Sequence, residues 1–118
     1  LAAVVIGLCH AAPADAAPIG KVDPGVAFSS VVYGTGCLYS LTVTVNSAGL
    51  VTFWEQPPGY PARAIGSAWA DGGIATVRWV PRRIGNRVLY ATQNGVTGPT
   101  AVVPVRQGYG SGPLCFAV

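Results

Sequence analysis

Most of the chain alternates between apolar and polar positions with a period of two, and turn residues divide it into short segments. Segment 37–45 is the clearest example, because every second residue from Tyr39 is apolar and those between carry small hydroxyls. One apolar and one polar face are typical of an antiparallel strand that packs one side on a core. Gly, Pro and β-branched residues recur too often for an amphipathic helix of useful length.

The alternating segments predict short strands over most of the chain. They are residues 26–33, 37–45, 50–55, 63–70, 74–80, 86–93 and 100–106. Turn residues separate them, including the pair Asn94 and Gly95, and Pro104 marks the last one as an edge strand. Strands at this spacing predict an all-β, immunoglobulin-like antiparallel β-sandwich of about seven strands.

The first residues have the pattern of a secretion signal. Residues 1–8 form an apolar run that leads to Ala14, Asp15 and Ala16, a small-x-small triplet typical of a signal-peptidase site. We expect residues 1–16 to be a signal peptide, truncated at its N-terminus because neither Met nor a basic segment precedes the run. A buried strand is the alternative, whereas a membrane span needs about 20 apolar residues. A lipid anchor on Cys9 is not expected, because Leu8 stands where a small residue is needed.

Removal of residues 1–16 changes the cysteine count from three to two, Cys37 and Cys115. An even number of cysteines in an exported protein predicts a disulfide, and two separate reduced thiols are the alternative. We therefore expect a secreted or cell-surface protein. Its N-terminal segment would be residues 17–25, its domain residues 26–107, and its disulfide-tied C-terminal tail residues 108–118, starting with a flexible linker.

Three local patterns occur in order along the predicted domain. They are LTVTV at 41–45 followed by LVTFW at 50–54, DGGIATVRW at 71–79, and a corner at 81–85 that leads into RVLYATQ at 87–93. This ordered set resembles bacterial immunoglobulin-like domains, which occur in exported surface proteins. The resemblance implies a β-sandwich with a binding role. The family usually occurs as repeats joined to other domains, whereas we expect a single copy here. The Ala- and Pro-rich leader and the use of Arg over Lys are similar to those of exported actinobacterial proteins.

Charged side chains are scarce, at 9% of the sequence, with a net charge of +3. A typical globular domain has about 25% charged residues. With 51% hydrophobic residues, the chain is too apolar to be disordered. Its arginines are spread over many elements, so they predict no nucleic-acid-binding stripe.

Few side chains of the predicted mature chain could perform catalysis. It has no His, and its carboxylates are Asp23, Glu55 and Asp71. General acid–base catalysis needs a titratable pair held together. We expect these carboxylates to be turn formers or solvated surface groups, although Glu55 could face an arginine. No pair of side chains has metal-ligand spacing. We predict a protein that is not an enzyme and has no metal or cofactor.

Five residues are candidates for a binding surface. Trp54, Tyr60 and Trp69 flank the Pro-rich loop 56–61, and Arg82 and Arg83 lie in the corner. Exposed aromatic rings would suit a protein or carbohydrate contact, and the arginines an acidic partner. We expect instead that loops bury the rings and that the arginines solubilise the chain.

The sequence thus predicts a secreted, non-enzymatic immunoglobulin-like module. Its expected partner is an unidentified protein or cell-envelope component, and not nucleic acid. We expect a monomer with no membrane span in the mature chain. A carrier apoprotein for a small apolar molecule and an inhibitor that inserts loop 56–61 into a secreted hydrolase are the alternatives.

Overall fold

The computed structural model describes residues 17–18, 20–25, 32–111 and 114–117. The predicted signal peptide, residues 1–16, and most of the first predicted strand, 26–33, lie outside this part of the chain. Within it, no helix is long and apolar enough to span a bilayer.

The described residues form ten β-strands. They are β1 Tyr33–Gly34, β2 Tyr39–Thr44, β3 Gly49–Gln56, β4 Arg63–Ala70, β5 Ile74–Trp79, β6 Gly85–Gln93, β7 Val96–Thr97, β8 Ala101–Arg106, β9 Gly108–Ser111 and β10 Leu114–Ala117. The predicted strands that correspond to β2–β6 and β8 are confirmed, with ends shifted by at most two residues. The prediction that β8 is an edge strand is wrong, because β1 pairs with it at Val105 and Arg106, beyond Pro104. The patterns did not predict β7, β9 or β10.

The strands pack in two layers around one core. The larger sheet, which we call the main sheet, has the order β1-β8-β6-β3-β4, and the short β7 pairs with β6. Its pairs are antiparallel except for β1 and β8, which run parallel. The second layer pairs β2 with β5, and Asp23 adds the N-terminal segment through two backbone hydrogen bonds to Thr42. This is an immunoglobulin-like β-sandwich, as predicted.

The core consists of the inward-facing residues of both layers. Leu41, Phe53 and Leu89 are fully buried. The Trp79 ring is also buried, and its centroid lies 5.8 Å from the centroid of the Tyr39 ring. The alternation predicted from Tyr39 onward is confirmed, because Leu41 and Val43 are buried and the hydroxyl residues between and beside them are more exposed. The apolar stripe of each strand therefore sets which of its faces lies on the core.

A tight turn joins β6 to β7. Gln93 and Val96 are paired across it, and Asn94 and Gly95 have φ angles of 52° and 76°. Positive φ at both central residues is characteristic of a type I′ turn, which Asn-Gly adopts at low cost. The predicted turn is therefore present, although the strand that follows it has only two residues.

The C-terminal residues form a hairpin of β9 and β10. Cys115 in β10 is bonded to Cys37, with Cα atoms 5.4 Å apart. The linker expected at the start of the tail is wrong for residues 108–111, because they pair with residues 114–117. The glycine run supports a close approach to β1: a β-carbon on Gly108 would overlap the backbone oxygen of Thr35. Small residues here are thus required by packing.

We expect the substitution Gly108→Ala to lower the free energy of unfolding by about 1–3 kcal/mol, because the new methyl group would push apart two backbone segments. Gly66→Ala is the control, since its β-carbon would lie at an ordinary 3.7 Å from Val77 Cγ1. Urea denaturation of both variants measures the effect. Equal stability of the two would contradict the close packing.

Candidate functional site

The structure separates the predicted surface residues into two places. Trp54 and Trp69 lie on β3 and β4, on the outer face of the main sheet. Tyr60 and Arg83 meet at one end of the sandwich, where the guanidinium carbon of Arg83 is 5.6 Å from the centre of the Tyr60 ring. Arg82 is exposed beside Arg83. The two places therefore have different chemistry.

The outer face of the main sheet carries three apolar cross-strand pairs. We call these six residues the aromatic face. They are Leu50 opposite Trp69, Trp54 opposite Tyr90, and Val88 opposite Val102. The exposed fractions of Trp69, Val102 and Leu50 are 67%, 63% and 56%. Such exposure of large apolar side chains on one sheet face is unusual for a surface without a partner.

Polar side chains beside the aromatic face form hydrogen bonds to one another or to a residue of the face. Trp54 Nε1 donates to Thr92 Oγ1 at 3.0 Å, and the hydroxyls of Thr52 and Ser67 are 2.9 Å apart. The Trp54 ring is also stacked on that of Tyr90, with an angle of 11° between the planes. This stacking fixes the ring, and the hydrogen bonds lower the cost of removing water from the face.

The outward positions of β3, β4 and β6 carry no charged residue. On β8, the outward position that carries a charge is Arg106, the last residue of the strand, which pairs with Gly34 of β1. The expected burial of the rings under loops is wrong for Tyr60 and Trp69, which are exposed. Trp54 is half-buried, and its neighbour Tyr90 is on the same sheet.

Glu55 lies in a buried cluster of charges inside the sandwich. Its expected place on the surface is wrong, since it is only 5% exposed, but it does face arginines. Glu55 Oε2 is 3.2 Å from Arg63 Nε, and Oε1 is 3.5 Å from Arg87 Nε. Trp79 Nε1 donates to Oε1 at 3.2 Å. These contacts occupy both oxygens of the carboxylate.

A β-bulge brings Arg63 to Glu55. The pairing of β3 with β4 shifts register between Phe53 and Trp54, which leaves Ile65 unpaired and places Arg63 opposite Glu55. Without the bulge, Glu55 would be opposite Ala64. A bulge re-aims the side chains that follow it, and here it completes the charge cluster.

Arg87 is the buried cation of the cluster, at 1% exposure. Its Nη atoms donate to the backbone oxygens of Gly85 and Arg83, which holds the corner that carries Arg83. Burial lowers the pKa of Arg87, whereas the charge of Glu55 raises it. The burial of Arg87 was not predicted from the sequence, although the alternation of β6 places this residue on the same face as Leu89 and Ala91.

The described residues offer no metal site. Among them, no three His, Cys, Asp or Glu side chains come together as a metal would need. Cys37 and Cys115, the two cysteines in the part of the chain that the structure describes, are joined to each other in the disulfide.

Comparison with protein-family models and with curated proteins found no match. Among solved structures, the fold is similar to superoxide reductase (neelaredoxin) from Ignicoccus hospitalis, with a TM-score of 0.53 at 9% identity over 77% of this chain and 82% of that one. It also aligns with the sulfur carrier protein SoxY from Chlorobium limicola, with a TM-score of 0.41 at 15% identity over 88% of this chain and 98% of that one. The first likeness supports a small β-sandwich fold and nothing about activity, and the second is too weak to support an argument.

Proposed function

We propose that this protein is an exported, non-enzymatic binding domain that docks on a partner protein through the aromatic face. The observation that carries the proposal is the exposure of Trp69, Leu50 and Val102 on an outer sheet face whose β3, β4 and β6 positions lack charge. The core of a protein–protein interface is depleted in charge and enriched in aromatic residues, with polar groups at its rim.

The physical character of the face favours a protein with an uncharged, apolar surface. Docking there desolvates no charged group at the central positions, so the cost of burying polar groups is low. The stacked Trp54 and Tyr90 rings are fixed before binding, which lowers the entropy lost on association. Trp69 and Leu50 lie directly opposite each other and form one continuous contact area.

The proposal also includes an exported location and a relationship to bacterial immunoglobulin-like domains. The Cys37–Cys115 bond supports an oxidising compartment, as expected for an exported protein. The sandwich topology is compatible with the bacterial immunoglobulin-like domains that the sequence resembles. A small domain has a small core, so a disulfide that export permits would add to its stability.

Site-directed photocrosslinking tests the docking face. A benzophenone amino acid at Leu50 should crosslink to one protein of the source organism's secreted or envelope fraction, and the same group at Thr76 on β5 should not. After identification and purification of that protein, Trp69→Ser should weaken its binding at least about tenfold, because an exposed Trp that becomes buried on association is the kind of residue that dominates interfaces. Calorimetry measures the loss.

Ile74→Ser is the matched control, because Ile74 is similarly exposed but lies on β5 of the other layer. It should leave affinity unchanged. Equal losses in the two variants would contradict the proposal. Crosslinking of Leu50 only to glycan, or only to a second copy of this chain, would also overturn it.

A further inference from the structure

Beyond the aromatic face, the end of the sandwich near loop 56–61 contains an open cleft of about 250 Å³. Its lining includes Arg63, Arg83 and Arg87 together with Pro57, Pro61 and the exposed Tyr60. The cleft therefore combines three cationic side chains with an apolar wall.

The charges in the cleft are not balanced by the protein. Glu55 forms ion pairs with Arg63 and Arg87, and no ion pair of Arg83 is seen among the described residues, so three positive charges line a cleft that has one negative charge beside it. Arg87 Nε is buried and makes no hydrogen bond to a described residue, and it lies 3.5 Å from Glu55 Oε1. Because Glu55 is shared between Arg87 and Arg63, the group keeps a net positive charge, which favours a further anion in the cleft.

Two of the arginines also have donors available to a ligand. Arg63 binds Glu55 through Nε, and its Nη groups form no hydrogen bond to another described residue. Arg83 packs its guanidinium against the Tyr60 ring, and likewise has no side-chain hydrogen bond within the described ranges. This stacking orients the planar group while leaving its edge N–H groups able to bind oxygen atoms.

We propose that this cleft is a binding site for an organic carboxylate that bears an apolar group. The Nη groups of Arg63 and Arg83 would donate to the carboxylate, and the positive charge of Arg87 would stabilise its negative charge. Pro57, Tyr60 and Pro61 would contact the apolar part. Guanidinium groups match the two oxygens of a carboxylate in geometry. A fully inorganic anion would leave the apolar wall unused.

The size of the cleft limits the ligand. Pockets for drug-sized molecules are about 300–1,000 Å³. The cleft is smaller, so it fits a single aromatic acid or the terminal residue of a peptide. Both sources present the same chemistry, a carboxylate next to an apolar group.

Calorimetric titration of the oxidised protein at fixed ionic strength tests the site. The probes are 3-phenylpropionate, its neutral amide, inorganic phosphate, and a short peptide ending in Phe with a free or amidated C-terminus. The carboxylates should bind and the amides should not. Binding of the free acid alone supports a small-molecule ligand, and binding of the free peptide terminus as well supports a protein terminus as the source.

Arg63→Gln and Arg83→Gln should each weaken carboxylate binding at least about tenfold, because each removes a charged donor. Arg82→Gln is the control, since it removes the same charge from the neighbouring exposed position outside the cleft. Two-dimensional NMR of the arginine Nε–H groups should show shifts for Arg63 and Arg83 on binding and little change for Arg82. Trp69→Ser should leave this binding intact, which separates the cleft from the docking proposal.

Equal binding of acid and amide would overturn the inference, and so would phosphate binding more tightly than the carboxylates. An Arg82→Gln variant as weak as Arg83→Gln would show that net charge, and not the cleft, attracts the anion. Urea denaturation of each arginine variant establishes that it is folded before its affinity is compared.

Discussion

Replacement of Glu55 by glutamine should lower the free energy of unfolding by about 3–5 kcal/mol, the usual cost of leaving a buried charge without its partner. Arg87 would keep its positive charge at 1% exposure, with its bonds to the backbone oxygens of Gly85 and Arg83 as the remaining compensation. Trp79 would keep a hydrogen-bond acceptor in the amide oxygen. The loss would therefore arise mainly from the unpaired cation. Urea denaturation followed by tryptophan fluorescence measures it.

Two further variants distinguish the contribution of the buried Glu55–Arg87 pair from that of the more exposed Glu55–Arg63 pair. Arg63→Gln removes the other cation of Glu55, but its side chain is 56% exposed, so we expect a loss below about 1 kcal/mol. The double variant Glu55→Gln/Arg87→Met should be more stable than Glu55→Gln alone, because no charge is then buried. If Glu55→Gln costs no more than Arg63→Gln, the buried cluster does not stabilise the fold as described.

Replacement of both Cys37 and Cys115 by serine should cost about 2–5 kcal/mol. The bond closes a loop with a sequence separation of 78, so its removal gives the unfolded chain much more conformational freedom. Guanidinium denaturation of the double variant and of the oxidised wild type measures the difference. Mass spectrometry with and without a thiol reagent establishes the oxidised state of the wild type.

Reduction of the wild-type protein gives an independent comparison. Its stability in the presence of a reductant should fall to that of the double serine variant, because both lack the same covalent link. If the serine variant were as stable as the oxidised protein, the loop closure would not contribute to folding as the chain-entropy argument requires.

The strands could be predicted because the inward and outward faces differ in chemistry at every second residue. β2 illustrates this, because its buried Leu41 and Val43 alternate with hydroxyl residues. Its inward face could therefore be predicted without knowing which strand pairs with it. The hairpin of β9 and β10 lacks such alternation, since Gly108 and Gly110 occupy every second position of β9. Glycine is selected there by close packing, which a pattern of hydrophobicity does not record.

The candidate sites are formed by residues of different strands. The pattern of apolar and polar residues does not show which residues of two strands lie opposite each other. Glu55 lies opposite Leu89, so that Arg87, two residues earlier, lies near its carboxylate, and the bulge at Ile65 brings Arg63 into place. The sequence indicated that Glu55 could face an arginine but not which one. Trp54 and Trp69 were recognised as candidates, yet their shared face became evident only from the register of β3 with β4 and β6.

The Cys37–Cys115 bond also has a mechanical consequence. If the domain were stretched between its N-terminal segment and β10, tension would pass from Cys37 through the disulfide directly to Cys115. Strands β2–β9 lie within the closed loop, so a pulling force could not lengthen them while the bond is intact. The surfaces on β3, β4 and β6 would therefore keep their shape under shear or traction, and a reductant would convert the domain into an extensible one.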